Sequence, residues 1–242
     1  MAPLLQQAKA AGIHVATADT DAPNSVREAF VNQATADGIG QSLTDSLLTA
    51  MGGSGKYAIV SCGQTAENLN SWIAVQKSYT ASKYPNAQIV DIVYAGEDQA
   101  KATQMATDLM NAHPDLTGLV GECTSSAPGV AQAVQDANKV GKVFTVGLGT
   151  PQSMKPYLDN GSSTAAILWD VENLGYLPTY VLGSARKLEF TEPLVVEAAG
   201  GKGGEAVPPG DVRREVGQLE GWGRGLFGSA HGIGYAHSAG NA

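Results

Sequence analysis

A strand–turn–helix unit that recurs along the middle of the chain limits the folds that this sequence can adopt. In the first copy, residues 58–60 form an apolar, largely β-branched run, a polar turn follows, and apolar residues recur at helical spacing from Asn68 onwards. Further copies begin with apolar runs at residues 89–94 and 119–122, and a fourth run covers residues 143–146. Strands and helices that alternate in this way predict an α/β fold, a doubly wound parallel sheet with helices on both faces.

Polar residues in the turns after the strands are the predicted functional positions, because ligands of such sheets bind outside the carboxyl ends of the strands. These turns carry hydrogen-bonding or stacking groups, namely Asp19, Asp21, Gln64, Asn68, Asn70, Glu122, Thr124, Trp169 and Asp170. Carboxylates and amides beside an aromatic plane suit a polyol such as a sugar. For Asn68 and Asp170, which stand just ahead of predicted helices, capping of the helix is an equally open alternative.

Catalytic motifs are missing from the sequence. It contains no phosphate loop, no nucleophile elbow and no HExxH, and Gly147-x-Gly149 lacks the third glycine of a dinucleotide fingerprint. We therefore expect a protein that is not an enzyme and that has neither a cofactor nor a metal site.

The two cysteines leave two interpretations open. Cys62 and Cys123 have no metal-binding spacing and form no CxxC motif. Both end predicted strands that would be neighbours in a sheet of order 2-1-3, so a disulfide is sterically possible. They are either two small buried thiols or a disulfide of an extracytoplasmic protein.

Charge and hydropathy argue against two classes of partner. The formal net charge of −8 opposes binding to nucleic acid or anionic membranes, since both need clustered Lys and Arg. No apolar run approaches the roughly 18 residues of a membrane span, so we expect no direct membrane insertion. The first 15 residues lack the basic start and apolar core of a signal peptide. The pattern of the N-terminal residues instead predicts a helix over 3–11 and a strand over 13–18.

Several stretches resemble the periplasmic sugar-binding proteins of ABC importers, and the similarity covers roughly residues 3–188. These stretches are ADTDAP (18–23), FVNQATADGIGQSL (30–43), TAENLNSWIAVQK (65–77), KYPNAQIV (83–90), GLGTPQSMKPYLDNG (147–161) and ILWDVENLGYL (167–177). The nearest branch includes rhamnose-type and autoinducer-2-type binding proteins. The resemblance implies a type I periplasmic-binding fold, two Rossmann-like lobes that close over a sugar between them.

Ligand contacts follow from the resemblance position by position. They fall on Asp19, Asp21, Asn68, Leu69, Glu122, Thr124, Trp169 and Asp170. The autoinducer-binding members have Asp-Gln at the positions of Asn68 and Leu69, and Pro and Ala at those of Glu122 and Thr124. These departures favour a monosaccharide such as a deoxyhexose over the autoinducer.

The resemblance also predicts how the chain is divided. Residues 1–35 would be a remnant of the first lobe with a crossover, and residues 36–165 a complete second lobe. Residues 166–190 would supply the third crossover and a returning helix. Residues 191–242 form a glycine-rich tail, since 13 of the 30 glycines lie between positions 200 and 240, and we expect this tail to be disordered.

Function follows as an expectation from the same resemblance. It implies a periplasmic solute-binding component that delivers a sugar to ABC permease subunits, here as an incomplete copy with weakened or no binding. The alternatives are the ligand-sensing domain of a LacI-type transcriptional regulator, which has the same fold, and a sugar-modifying α/β enzyme.

Overall fold

A computed structural model describes residues 2–185, 194–197 and 234–235. The described strands are β1 (Ala16–Ala18), β2 (Ala29–Asn32), β3 (Gly55–Ser61), β4 (Ala87–Tyr94), β5 (Leu116–Gly121), β6 (Phe144–Leu148), β7 (Ala165–Ile167), β8 (Leu194–Glu197) and β9 (Gly234–Tyr235). The described helices are α1 (Ala2–Ala10), α2 (Ala36–Ala50), α3 (Glu67–Lys83), α4 (Gln99–Ala112), α5 (Ser126–Asp136), α6 (Pro151–Asp159) and α7 (Val171–Ala185). In this part of the chain, no helix combines the length and the apolar character needed to cross a membrane.

The chain forms two compact units. The described residues up to Thr35 and those from Trp169 to 197 belong to the first unit, and Ala36–Leu168 with residues 234–235 belongs to the second. The chain therefore passes from one unit to the other after Thr35 and after Leu168.

The second unit is built on a parallel sheet with the strand order β4-β3-β5-β6-β7, and β9 pairs antiparallel with β7. Its strands are held in register by parallel pairs such as Ile59 with Val120 and Val146 with Ala165. Because consecutive strands are parallel, each must be joined to the next by a crossover, and the helices supply these connections. The predicted doubly wound α/β fold is confirmed.

Helices cover both faces of this sheet. On one face, Ala58 and Val60 of β3 pack with residues of α4 and α5, including Leu109 and Val130, in one buried apolar cluster. On the other face, the Tyr57 hydroxyl lies 2.7 Å from Thr80 Oγ1 of α3, and α3 packs against α2. The alternation of neighbouring side chains between the two faces follows from strand geometry.

Close packing fixes α5 against the carboxyl end of β5. A side chain at Gly121 would place its Cβ 2.4 Å from Cα of Ala127 and 2.5 Å from the Ala127 nitrogen. Only glycine allows this approach, so the start of α5 is held directly against the end of the strand.

The first unit contains a parallel sheet of order β1-β2-β8, with α7 packed on β1 and β2. Ala29, Val31 and Val181 form its buried apolar cluster. The strand β8 corrects the prediction of a disordered tail for residues 194–197, because Val196 pairs with Val31 of β2. Its β-branched residues favour an extended conformation. The remainder of the predicted tail lies outside the described residues, apart from β9.

Two strands are shorter than predicted. The strand expected over residues 13–18 covers only Ala16–Ala18, since only these residues pair with β2, while Ile13 remains 58% exposed. The apolar run at residues 165–169 likewise predicts a strand, and that strand ends at Ile167. In both cases the apolar run extends past the residues that find a pairing partner.

Candidate functional site

The carboxyl edge of the second unit's sheet is the candidate binding site. In this sheet β4 lies on one side of β3, and β5, β6 and β7 follow in order on the other side of β3. The point where the strand order reverses therefore lies between β3 and β5. Open α/β sheets bind their ligands in the crevice at this point.

Asn68 and Thr124 present polar side chains beside this point. Asn68 lies in the first turn of α3, directly after β3, and is half-buried, whereas Thr124 follows β5 and is exposed. The helix begins after Ala66, which is its N-cap and makes no side-chain capping bond, so the capping alternative for Asn68 is wrong. Both side chains keep their hydrogen-bonding groups available for a ligand.

Glu122 and Leu69 are buried inside the second unit. Glu122 has no exposed surface, and Leu69 is 6% exposed. Both carboxylate oxygens of Glu122 accept from Nε2 of Gln76 on α3, at 2.7 and 2.9 Å. In this conformation a sugar at the surface cannot touch Glu122, because its side chain points into the layer of helices. The direct sugar contact expected at this position stays a prediction.

Burial changes the acidity of Glu122. The loss of hydration raises the pKa of its carboxyl to about 8, and the hydrogen bond from Gln76 opposes this shift. Because the ordinary value is 4.5, the carboxyl is largely protonated at neutral pH, and its role in the second unit is that of a buried polar anchor.

A disulfide joins Cys62 and Cys123 across the point where the strand order reverses. It links the turn after β3 to the turn after β5, with the two Cα atoms 6.2 Å apart. The Ser125 hydroxyl lies 3.3 Å from Sγ of Cys62, 3.2 Å from Sγ of Cys123 and 3.3 Å from Oε2 of Glu97. The disulfide therefore connects the segment just before Asn68 to the segment that contains Thr124.

In the first unit, Asp19 and Asp21 differ in what their carboxylates contact. Asp21 accepts from the Thr17 hydroxyl at 2.8 Å, from the Ala22 nitrogen at 2.7 Å and from Nη2 of Arg27 at 2.6 Å. These hydrogen bonds stabilise the turn that contains Asp21, so its carboxylate oxygens have little capacity left to accept hydrogen bonds from a ligand.

Asp19 follows β1 in a left-handed backbone conformation, with φ 65°. Within the described part of the chain, its side chain accepts a hydrogen bond from the neighbouring Thr20 hydroxyl, at 3.4 Å. Burial raises the pKa of the Asp19 carboxyl, and the Thr20 hydrogen bond opposes the shift. Asp19 is thus the better of the two carboxylates for accepting hydrogen bonds from a sugar.

Asp170 caps α7, so the capping alternative is correct at this position. Its Oδ1 accepts from the Asn173 nitrogen at 2.9 Å, and its Oδ2 accepts from Nδ2 of Asn173 at 2.8 Å. The preceding Trp169 is half-buried in the first unit. The structure therefore assigns Asp170 a local stabilising role.

Sequence reasoning missed the residues that support the site. Gln76 holds the carboxylate of Glu122, and Ser125 and Glu97 lie beside the disulfide. A polar Gln within the apolar stripe of α3 was a usable signal for a buried partner. Ser125 and Glu97 carried no such signal, since serine and other polar residues are ordinary in turns.

A parallel sheet between two layers of helices, with hydrogen-bonding side chains at its carboxyl edge, is the arrangement in which open α/β sheets bind their ligands. Residues 1–187 match the model of the periplasmic binding protein domain, and the chain belongs to this family. A second model, described only as a domain of unknown function, matches residues 158–239. The family predicted from the sequence motifs is confirmed.

Solved and curated relatives of this chain include sugar-binding proteins. An ABC transporter solute-binding protein from Clostridium phytofermentas with bound L-rhamnose is 32% identical with a TM-score of 0.72, over 76% of this chain and 59% of that chain. LsrB from Clostridium saccharobutylicum in complex with AI-2 is 30% identical with a TM-score of 0.71, over 76% and 60%. The D-allose-binding periplasmic protein of Escherichia coli is 32% identical over 98 residues, which is 40% of this chain and 31% of that protein. The chain thus spans about 60% of the length of these solved relatives.

Proposed function

We propose that this chain acts as a solute-binding component of an ABC transport system and binds a monosaccharide. The observation that carries the proposal is the family match over residues 1–187. It is supported by relatives whose bound or named ligands are L-rhamnose, AI-2 and D-allose. A deoxyhexose is the favoured ligand, because the positions that depart from the autoinducer-binding members include Asn68 and Thr124.

Contacts to the sugar are proposed from the side chains whose polar groups remain available. In the second unit these are Asn68 and Thr124, which flank the reversal of the strand order. An amide both donates and accepts, and a hydroxyl does the same, which matches the hydroxyl groups of a sugar. Taken by itself, the first unit offers Asp19 as a carboxylate acceptor and Trp169 as an aromatic face.

The remaining predicted contacts act indirectly in this proposal. Asp21 and Asp170 shape a turn and a helix end through their own hydrogen bonds. Glu122 and Leu69 support the second unit from its interior. We propose ABC permease subunits as partners and the periplasm as the location, as the family membership suggests.

Calorimetric titration with a panel of L-rhamnose, D-ribose, D-allose, D-arabinose and AI-2 tests the proposal. We expect at least one monosaccharide to bind with a dissociation constant below about 1 mM, roughly −4 kcal/mol. Asn68→Ala should weaken binding about tenfold, since a lost hydrogen bond costs about 1 kcal/mol or somewhat more.

Asn86→Ala is the matched control, because Asn86 is an exposed asparagine in the turn before β4, at the opposite end of the strands. It should bind as the unaltered protein does. Absence of heat with every sugar, or equal losses in the Asn68 and Asn86 variants, would overturn the proposal.

A further inference from the structure

Three side chains with metal-binding atoms meet at the carboxyl ends of three adjacent strands. Cys62 follows β3, Glu97 follows β4 and Cys123 follows β5, and these strands lie in the order β4-β3-β5. One ligand atom from each residue lies within 4.8 Å of the other two. The sequence predicts that the two cysteines end neighbouring strands, but no motif adds Glu97 to them.

In the oxidised protein the two sulfurs are bonded to each other, so they must separate before both can bind one metal ion. Zinc binds thiolate sulfur at about 2.3 Å and carboxylate oxygen at about 2.0–2.2 Å, so two ligands of one ion lie roughly 3.5–3.8 Å apart. The Ser125 hydroxyl contacts all three ligand atoms at 3.2–3.3 Å. The three atoms therefore surround a common point, which the Ser125 hydroxyl occupies in the oxidised protein.

The surroundings favour thiolates at this position. The Ser126 nitrogen, at the start of α5, donates a hydrogen bond to Sγ of Cys123 at 3.4 Å. Hydrogen-bond donors and a helix N-terminus stabilise a sulfur anion. Cys62 and Cys123 are only 1% and 8% exposed, whereas Glu97 is exposed, so an ion can enter from the side of the carboxylate.

We propose that reduction of the Cys62–Cys123 disulfide creates a binding site for a thiophilic divalent cation, Zn²⁺, with Cys62, Cys123 and Glu97 as ligands. A dithiol reductant supplies two electrons and two protons, so that it becomes a cyclic disulfide while the protein gains two thiols. The cation then displaces the two thiol protons and binds both sulfurs and the carboxylate, and water takes the fourth position. The same turns are thus held together by a disulfide or by a metal ion. This inference does not depend on sugar binding.

Anaerobic titration with Co²⁺, a spectroscopic substitute for Zn²⁺, tests the site. After reduction with a dithiol and removal of the reductant, we expect thiolate-to-cobalt charge-transfer absorption that saturates at one ion per chain and disappears when Zn²⁺ is added. The oxidised protein should show no such band. If the reduced chain loses its circular dichroism, Zn²⁺ should restore it; failure to do so would overturn the proposal.

Variants separate the ligands from their neighbours. Cys123→Ser should abolish the band. Glu97→Gln should weaken Zn²⁺ binding at least about tenfold, because losing a direct ligand costs no less affinity than losing a group that only orients a ligand. Glu67→Gln, which alters an exposed glutamate in the first turn of α3, and Ser125→Ala should retain the site. Absence of the band in the reduced protein, or equal effects of the Glu97 and Glu67 substitutions, would contradict the proposed ligand set.

Discussion

At the scale of single residues, Glu122 makes the stability of the second unit depend on pH. Its carboxyl has a pKa of about 8 in the folded protein, above the ordinary 4.5. Between these values the folded state binds more protons than the unfolded state, so the free energy of unfolding falls as pH rises. Denaturant unfolding of the oxidised protein should show a loss on the order of 3 kcal/mol between pH 5 and pH 8.

Glu122→Gln should remove most of this dependence and make the protein more stable than the unaltered chain at pH 8. A neutral amide can keep a hydrogen bond to Gln76 without the cost of a buried charge. Glu67→Gln, at an exposed position, is the control and should leave the pH dependence unchanged. An unaltered slope in the Glu122 variant would contradict this role.

A second residue-scale prediction concerns Gly121. Gly121→Ala should lower the free energy of unfolding by at least about 2 kcal/mol, because the new Cβ would meet the backbone of Ala127 at 2.4 Å. The control is Gly175→Ala on α7, where a Cβ meets nothing within 4 Å; this change should stabilise by roughly 0.5–1 kcal/mol. Thermal unfolding measures both effects, and equal unfolding temperatures of the two variants would contradict the packing explanation.

The residue scale is also where prediction from sequence reached its limit. A carboxylate at the end of a strand has the same sequence signature whether it faces solvent or the layer of helices. Glu122 faces Gln76, which lies 46 positions earlier in the chain. A polar residue in the apolar stripe of α3 indicates a buried partner, but no local pattern identifies Glu122 as that partner. Asn68 and Asp170 looked equivalent ahead of their helices, but only Asp170 caps one.

At the scale of elements, the start of α7 depends on the side chain of Asp170. Asp170→Ala removes the acceptor for the Asn173 nitrogen, so we expect a loss of about 1 kcal/mol in the free energy of unfolding. Asp170→Ser keeps an oxygen that can accept the same bond and should retain most of the stability. Chemical denaturation of the two variants measures this difference, and equal losses would rule out capping.

The disulfide acts between elements, since it connects the turns after β3 and β5. Replacement of both cysteines by alanine should lower the free energy of unfolding by roughly 2–4 kcal/mol, because a closed loop of 61 positions restricts the unfolded chain. Comparison of oxidised and reduced protein in urea provides an independent measurement. Equal urea midpoints for the oxidised protein and the double variant would contradict a stabilising role.

At the scale of the whole molecule, periodicity was sufficient to predict the doubly wound sheet of the second unit. Each of its longer strands contains an apolar run, and each helix after it repeats apolar residues at helical spacing. The strand β8 could not be predicted in this way. Its four residues stand just ahead of glycine-rich sequence, and their conformation is fixed by pairing with β2, a tertiary interaction.

We propose that a sugar binds at the carboxyl edge of the second unit's sheet. Nuclear magnetic resonance of the ¹⁵N-labelled protein, titrated with the sugar that calorimetry selects, tests this most directly. We predict that the amide shifts of Asn68, Thr124 and their turn neighbours change most, while Asn86 and His113, which precede strands, stay unchanged. Shifts that concentrate at Asn86 and His113, or no shifts at saturating sugar, would contradict the claim.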